Sequence, residues 1–364
     1  MENKLGLYKF NQTLLLGFLL LGGLYLGKTF LIPVFIAALI AMLLLPICSK
    51  LEKLGFNRIF AIISCILIFL TILIGIIYLF TYQIIGLSKN LPFFANRIQE
   101  VLLKLKDFIA ENTRLSHNDI SSYIESSIRQ IVDSLGSYIQ SVLTITTGVI
   151  VNFFLVLIYI AFFLAYRERI ENFILKIAPE NEKEKTDKII KSCTSMSISY
   201  LSGILTVSFI LSVSNAIALT IFRIEYALFF AVLAGILNII PFVGTFLGSI
   251  LPVALALLTK DSIWVAVFVV IYFTVIQYIE SYFLTPFIVG GKVRVNPLTE
   301  ILALVLGGVI WGVAGMVLFI PLTGLVKVLF DHIEKFEPFA YVIGREDVPK
   351  TSKTGKKIKY WFKK

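Results

Sequence analysis

Apolar segments of membrane-crossing length recur along this chain, at residues 11–27, 30–49, 59–87, 141–166, 195–222 and 262–289. Hydrocarbon offers a peptide group no hydrogen-bond partner, so each segment must satisfy its own backbone, as a helix does. Composition points the same way: 58% of residues are hydrophobic and 15% charged, against about 45–50% and about 25% in soluble domains. The fold class expected is an all-α polytopic membrane protein. A soluble enzyme, a disordered chain and a disulfide scaffold are excluded.

Two further stretches, 226–258 and 298–330, fit no single span. Each runs to about 33 residues, a straight helix of roughly 50 Å against a hydrocarbon core of about 30 Å. Both carry breakers near the middle. The first has Asn238-Ile239-Ile240-Pro241-Phe242-Val243-Gly244, and the second has Gly307-Gly308, Gly312 and Gly315. Proline removes a backbone bond and glycine loosens a helix. We therefore expect six full transmembrane helices plus two broken, re-entrant hairpins, with eight spans as the alternative.

Charge orients this arrangement. With a cytoplasmic N-terminus, residues 50–58 and the seven Lys/Arg of 167–191 fall inside. So do Lys292, Arg294 and the nine Lys/Arg of the tail from residue 332. That obeys the positive-inside rule. Residues 88–140, with six basic and six acidic residues, become an extracytoplasmic insertion. Within it Ile98, Val101, Leu102, Leu105 and Ile109 recur at helical spacing. Ile120, Ile124, Ile128, Ile131, Leu135, Tyr138 and Val142 do the same, which predicts two amphipathic helices. Four regions follow: helices over 1–87, the insertion over 88–140, a transport core over 141–331 and a basic cytoplasmic tail over 332–364.

The net charge of +10 sits at segment ends and in the tail. It reads as topology and as attraction to anionic lipid at the tail, not as a nucleic-acid surface. Cys48, Cys65 and Cys193 are too scattered for a disulfide framework or a zinc site. His117 and His332 make no metal centre, and no cofactor is expected. Residues 22–29, GGLYLGKT, spell a P-loop. That motif needs a strand before it and a helix after it in a soluble domain, and here it ends an apolar helix. Transport by this chain would therefore be secondary.

Polar groups inside apolar segments carry the remaining signal. Glu280 lies two-thirds along its span. An intramembrane carboxylate usually faces a cavity or a partner, so it is either an ion or proton site or a helix-packing group. Glu300 follows Asn296-Pro297-Leu298-Thr299 in the first turn of the second hairpin, where the helix dipole favours an anion. It reads as a local cap or as part of a pathway. Asn238, before the Pro241 break, either coordinates substrate or satisfies carbonyls freed there. The GxxxG pairs Gly244/Gly248 and Gly308/Gly312 suit close helix packing. The row Ser197, Ser199, Ser202, Thr206, Ser208, Ser212, Ser214 and Asn215 lines a polar path or bonds between helices.

From Asn238 onward the sequence resembles a known family. The resemblance is carried by residues 238–244, Gln277-Tyr278-Ile279-Glu280 with Pro286, Asn296-Pro297-Leu298, Gly307-Gly308, Gly312, Gly315-Met316 and Pro321-Leu322. Tyr159-Ile160-Ala161-Phe162-Phe163-Leu164, Arg167 and Ala178-Pro179 add to it. The chain is similar to the AI-2E family of bacterial membrane proteins, the autoinducer-2 exporter or PerM-like permeases. That resemblance implies export of a small polar solute such as autoinducer-2, or sodium–proton exchange; a homo-oligomer is expected because residues 88–140 offer apolar helix faces beyond what one protomer buries. Glu280 matches the family's glutamate, whereas Glu300 stands where an apolar residue is expected. The expected pathway gathers Asn238, Pro241, Gly244, Gln277, Glu280, Asn296, Pro297, Glu300, Gly308 and Gly312, with the two hairpin tips meeting near the midplane. A sodium–proton antiporter and a non-transporting scaffold are the alternatives.

Overall fold

The computed structural model describes residues 2–90, 147–240, 243–260, 262–289 and 295–345, together with isolated positions between 93 and 100. The amphipathic helices expected in 88–140 lie almost wholly outside the described residues, as do Pro241, Lys292, Arg294 and the end of the basic tail. Every described element longer than a turn is a helix. In chain order these are α1 (Glu2–Leu26), α2 (Lys28–Lys53), α3 (Arg58–Lys89), α4 (Thr147–Ile177) and α5 (Lys183–Ile221). They continue with α6 (Ala227–Leu237), α7 (Val243–Thr259), α8 (Ile263–Ile279), α9 (Thr285–Ile288), α10 (Pro297–Asp331) and α11 (Glu337–Ile343).

Six helical stretches are long and apolar enough to cross a membrane, and Leu15–Leu26, Ala227–Leu237 and Phe246–Thr259 are shorter apolar helices. The chain is an all-α polytopic membrane protein. The first apolar segment lies in α1, which runs 25 residues from Glu2 to Leu26, and α10, one of the six, is not straight. Residues 22–29 join α1 to α2 with helix on both sides, so no phosphate loop forms there.

Both hairpins are present as folded-back helix pairs. In α10 the reversal rests on Gly312, at φ 62° and ψ −143°, close to a region that essentially only glycine enters. A Cβ on Gly307 would lie 2.3 Å from the Gly315 carbonyl oxygen, so the two arms touch backbone to backbone. Eight residues of straight helix would hold these positions about 12 Å apart. In the first hairpin α6 ends through tight turns, with Ile239 bonding Ile236 and Ile240 bonding Leu237. On the return, a Cβ on Gly248 would lie 2.7 Å from the Ala234 Cβ.

α5 is the axis against which both hairpins pack. Its buried residues Ser197, Tyr200, Gly203, Val207, Ser208, Leu211 and Asn215 fall at helical spacing on one face. The first hairpin approaches so closely that a Cβ on Gly235 would overlap Ser212 Oγ at 1.9 Å and the Ser208 carbonyl at 2.7 Å. Phe229, Phe230 and Leu219 join Val269 and Phe273 of α8 in one apolar cluster. At the opposite flank, α2, α3 and α4 share a second cluster around Cys48, Cys65, Ile160 and Leu164. Charged groups pin this flank at one end. Arg167 pairs with Glu52, and Arg58 reaches Glu168 at 3.3 Å and the Leu164 carbonyl at 3.3 Å.

Two measurements test this fold. A Gly308→Cys/Met316→Cys pair, with the three native cysteines replaced by serine, forms an intramolecular disulfide on mild oxidation. A straight α10 leaves both thiols free, as mass spectrometry after alkylation reads directly. Separately, Gly235→Ala overpacks the contact between α6 and α5 and destabilises the protein by about 1–3 kcal/mol. Thermal unfolding in detergent reports the loss, and an unchanged melting temperature means that the hairpin does not press on α5 at this point.

Candidate functional site

Glu280 begins a π-helical turn, Glu280–Leu284, between α8 and α9. Its cause is local. Pro286 has no N–H to give a carbonyl four residues earlier, and the ladder shifts so that Thr285 N–H bonds the Glu280 carbonyl, five residues back. The shift also brings the Thr285 hydroxyl onto Glu280, to which it donates at Oε1. Gln277 Nε2 and Ser281 Oγ donate to Oε2, each at 3.0 Å. The carboxylate is thus held by three neutral donors. Among the described residues no Lys, Arg or His pairs with it.

Gln277 has its orientation fixed by this arrangement. Glu280 needs a donor, so the amide nitrogen faces the carboxylate and also donates to Ser281 Oγ at 2.9 Å. The amide oxygen points the other way, is buried and has no partner. Gln277 lines, with Glu280, a cavity of about 10 Å³ whose other walls are Leu211 and Asn215 of α5, Ala234 and Asn238 of the first hairpin, and Phe273 and Ile276 of α8. That volume is about the room of one water molecule or one small ion. Asn215 is 3% exposed and is oriented by Tyr272, whose hydroxyl donates to Asn215 Oδ1 at 3.1 Å and meets Ser214 Oγ at 3.0 Å.

The ten expected pathway residues divide among three places. Asn238, Gln277 and Glu280 meet at the small cavity. Gly244 is beside them, since a Cβ there would lie 2.3 Å from Asn238 N. Pro241 lies outside the described residues. Asn296, Pro297 and Glu300 stand together at the start of α10, away from this cavity. Asn296 caps the helix, accepting from Thr299 N–H at 2.8 Å, and donates to the Val342 and Gly344 carbonyls at 2.6 and 3.2 Å. Pro297 occupies the first helical position, where its missing N–H costs nothing. Gly308 and Gly312 form the tip of the second hairpin.

That tip corrects one expectation. It does not join the Asn238 break but packs on α1 and α2. Trp311 Nε1 donates to the Leu24 carbonyl at 2.9 Å, and its ring lies 5.6 Å from Phe35 and 5.3 Å from Phe319. The physical reason is the end of α1, whose last carbonyls lack helical partners; a buried indole N–H needs one such acceptor. Seven residues of the observed site were missed as candidates: Leu211, Ala234, Tyr272, Phe273, Ile276, Ser281 and Thr285. Thr285 is five residues from Glu280, a spacing that only a π turn makes adjacent, and Pro286 was its one signal.

A larger open cleft, about 950 Å³, lies between α2, α4, α5 and α10. Its walls are mainly apolar, including Ala41, Met42, Leu45, Phe163, Ile170 and Ile198. Its Arg167 is committed to Glu52 and its Lys191 to Asp187. Lipid tails suit such walls better than a small polar solute does.

Comparison with known proteins agrees with the membrane architecture. The protein named "Putative transport protein YueF" from Bacillus subtilis is 30% identical over 311 residues, covering 83% of each chain. The "Putative transport protein YrrI" of the same organism is 27% identical, covering 83% of this chain and 86% of its own. A "Putative transport protein" of Borreliella burgdorferi is 25% identical, covering 73% of this chain and 71% of its own. The family model described as AI-2E family transporter matches residues 14–335. With a match over nearly its whole length, this chain belongs to the AI-2E transporter family.

Proposed function

We propose that this multi-pass membrane protein is an ion-coupled secondary transporter that exports a small polar solute such as autoinducer-2, with Glu280 holding the coupling ion. The observation that carries the reading is the Glu280 environment. A carboxylate inside an apolar segment is costly. Here it is held by neutral donors, beside a buried amide oxygen that still lacks a donor, at a cavity of single-ion size. Such a group exchanges a proton for a small cation without breaking an ion pair. Its location between a broken hairpin and an interrupted helix is where secondary transporters bind ions. The solute, too large for this cavity, occupies space that opens when the first hairpin moves against α5.

A second reading, cation–proton exchange with no organic solute, is favoured by the cavity volume alone. Both readings place the chain in a bacterial cytoplasmic membrane with both termini inside, supported by the distribution of Lys and Arg. The basic tail then lies on anionic lipid. A homo-oligomer fits the apolar helix faces read in residues 88–140. The scaffold alternative gives no reason for a carboxylate so placed.

Flux through purified protein in liposomes tests the proposal. A sodium gradient imposed on the wild type changes lumenal pH, and Glu280→Gln, inserted equally well, reduces the rate at least tenfold. Equal rates in the two proteins remove Glu280 from ion coupling. A sodium-driven pH change that is insensitive to added autoinducer-2 selects exchange over export.

A further inference from the structure

The cleft of about 950 Å³ between α2, α4, α5 and α10 shares no residue with the Glu280 cavity. Its size is near the top of the range, about 300–1,000 Å³, in which pockets hold small organic molecules. The lining is ordered along its length. Ala38, Ala41 and Met42 of α2 line it within their apolar segment. Every charged side chain of the lining, Arg167, Glu168, Glu171 and Lys191, comes from where α4 and α5 leave theirs. On α2 the lining runs from Ala38 to Ser49, eleven residues on, which is about 16 Å of helix. That is about half of a hydrocarbon core of about 30 Å, the depth of one leaflet.

The charged end carries groups that the protein does not use. Two of its four charges are closed off, since Arg167 pairs with Glu52 and Glu168 with Arg58. Glu171 is partly buried and makes no ion pair among the described residues. Lys191 lies within electrostatic reach of Glu171. Its own pair with Asp187, at 2.6 Å, is exposed, and exposed pairs open at little cost. A hydroxyl is free as well. Thr206, Thr220, Thr259 and Thr323 each turn theirs onto a carbonyl four residues earlier. Thr194, inside α5 and lining the cleft, makes no hydrogen bond through its hydroxyl among the described residues.

An apolar slot one leaflet deep, ending in a carboxylate, a lysine and a hydroxyl, matches an amphiphile with an acyl tail and a head group of both signs. The four lining charges sum to zero, two basic and two acidic. An anionic head group would bring its surplus charge to Glu171. A choline head group has no N–H to give that carboxylate, whereas a primary ammonium has three, as a lysine does. We propose that this cleft binds one phospholipid whose head group joins a primary ammonium to its phosphate, as phosphatidylethanolamine does. Glu171 takes the ammonium, Lys191 and Thr194 hold the phosphate, and an acyl chain lies along Ala41, Met42 and Ile198. The site is independent of ion binding at Glu280.

The test uses purified full-length protein, stripped of lipid in detergent and given an equimolar mixture of phosphatidylethanolamine, phosphatidylcholine and phosphatidylglycerol with the same chains. Native mass spectrometry counts the lipid retained. The wild type keeps phosphatidylethanolamine at least fivefold over either competitor. Glu171→Gln lowers its retention to that of phosphatidylcholine, Thr194→Val lowers both, and Thr194→Ser, which keeps the hydroxyl, behaves as the wild type. A phosphatidylethanolamine with a photoreactive acyl chain labels the peptides holding Met42 and Ile198. The wild-type preference and the photolabel need no variant, so they decide the question even where a variant fails to fold. Equal retention of the three lipids means boundary lipid only and overturns the site. Preference for phosphatidylglycerol, labelling confined to other peptides, or undiminished preference in a folded Glu171→Gln overturns it too.

Discussion

In hydrocarbon every peptide N–H and C=O that leaves a helix must be met by protein, and the rest of this structure follows from how that debt is settled at three breaks. At Gly312 the chain reverses in a conformation open only to glycine, and two glycine backbones cover each other. At the end of α1 the Leu24 carbonyl is taken by the Trp311 indole. At Glu280 a proline forces a π turn in which Thr285 N–H takes the Glu280 carbonyl, and the turn gathers a threonine, a serine and a glutamine as donors around the Glu280 carboxylate. The first two breaks sit in apolar packing. The third sits among polar side chains, one of which keeps an unsatisfied oxygen.

The two hairpins are seated differently. The second hairpin fits α1 and α2 through a tryptophan flanked by Phe35 and Phe319, a dry contact with large buried rings. The first hairpin approaches α5 at Gly235, close to the Ser212 hydroxyl and the Ser208 carbonyl, while its Phe229 and Phe230 pack with Leu219 of α5 in one apolar cluster. Small residues let helices approach closely. What sets the first hairpin apart is the polar cavity it shares with Asn215, Gln277 and Glu280.

Much of this was legible in the sequence because the relevant signals were periodic or were breakers. Helix count, the two folded-back stretches and the polar face of α5 followed from apolar length, proline, glycine and 3.6-residue spacing. What was not legible depended on register between distant elements. Nothing in residues 307–315 says that their tip will sit on Leu24, because that choice is made by an orphan carbonyl about 290 positions away in the chain. Nor does helical spacing place Thr285 on Glu280; the extra residue of the π turn does. Asn296 looked like part of a pathway by its neighbourhood, yet its side chain is consumed by a cap and two carbonyls.

Among the described residues Glu280 has no basic partner, only neutral donors, and this bears on the proposed mechanism more than its partial burial does. Breaking a buried ion pair is strongly unfavourable, and a carboxylate held only by neutral donors carries no such lock. Gln277 gives its nitrogen to the carboxylate while its oxygen stays buried without a donor. In the transport cycle proposed above, a small cation entering the cavity that Gln277 and Glu280 both line would find a carboxylate and an amide side chain together, and its exchange would require the first hairpin to open that cavity to each side in turn.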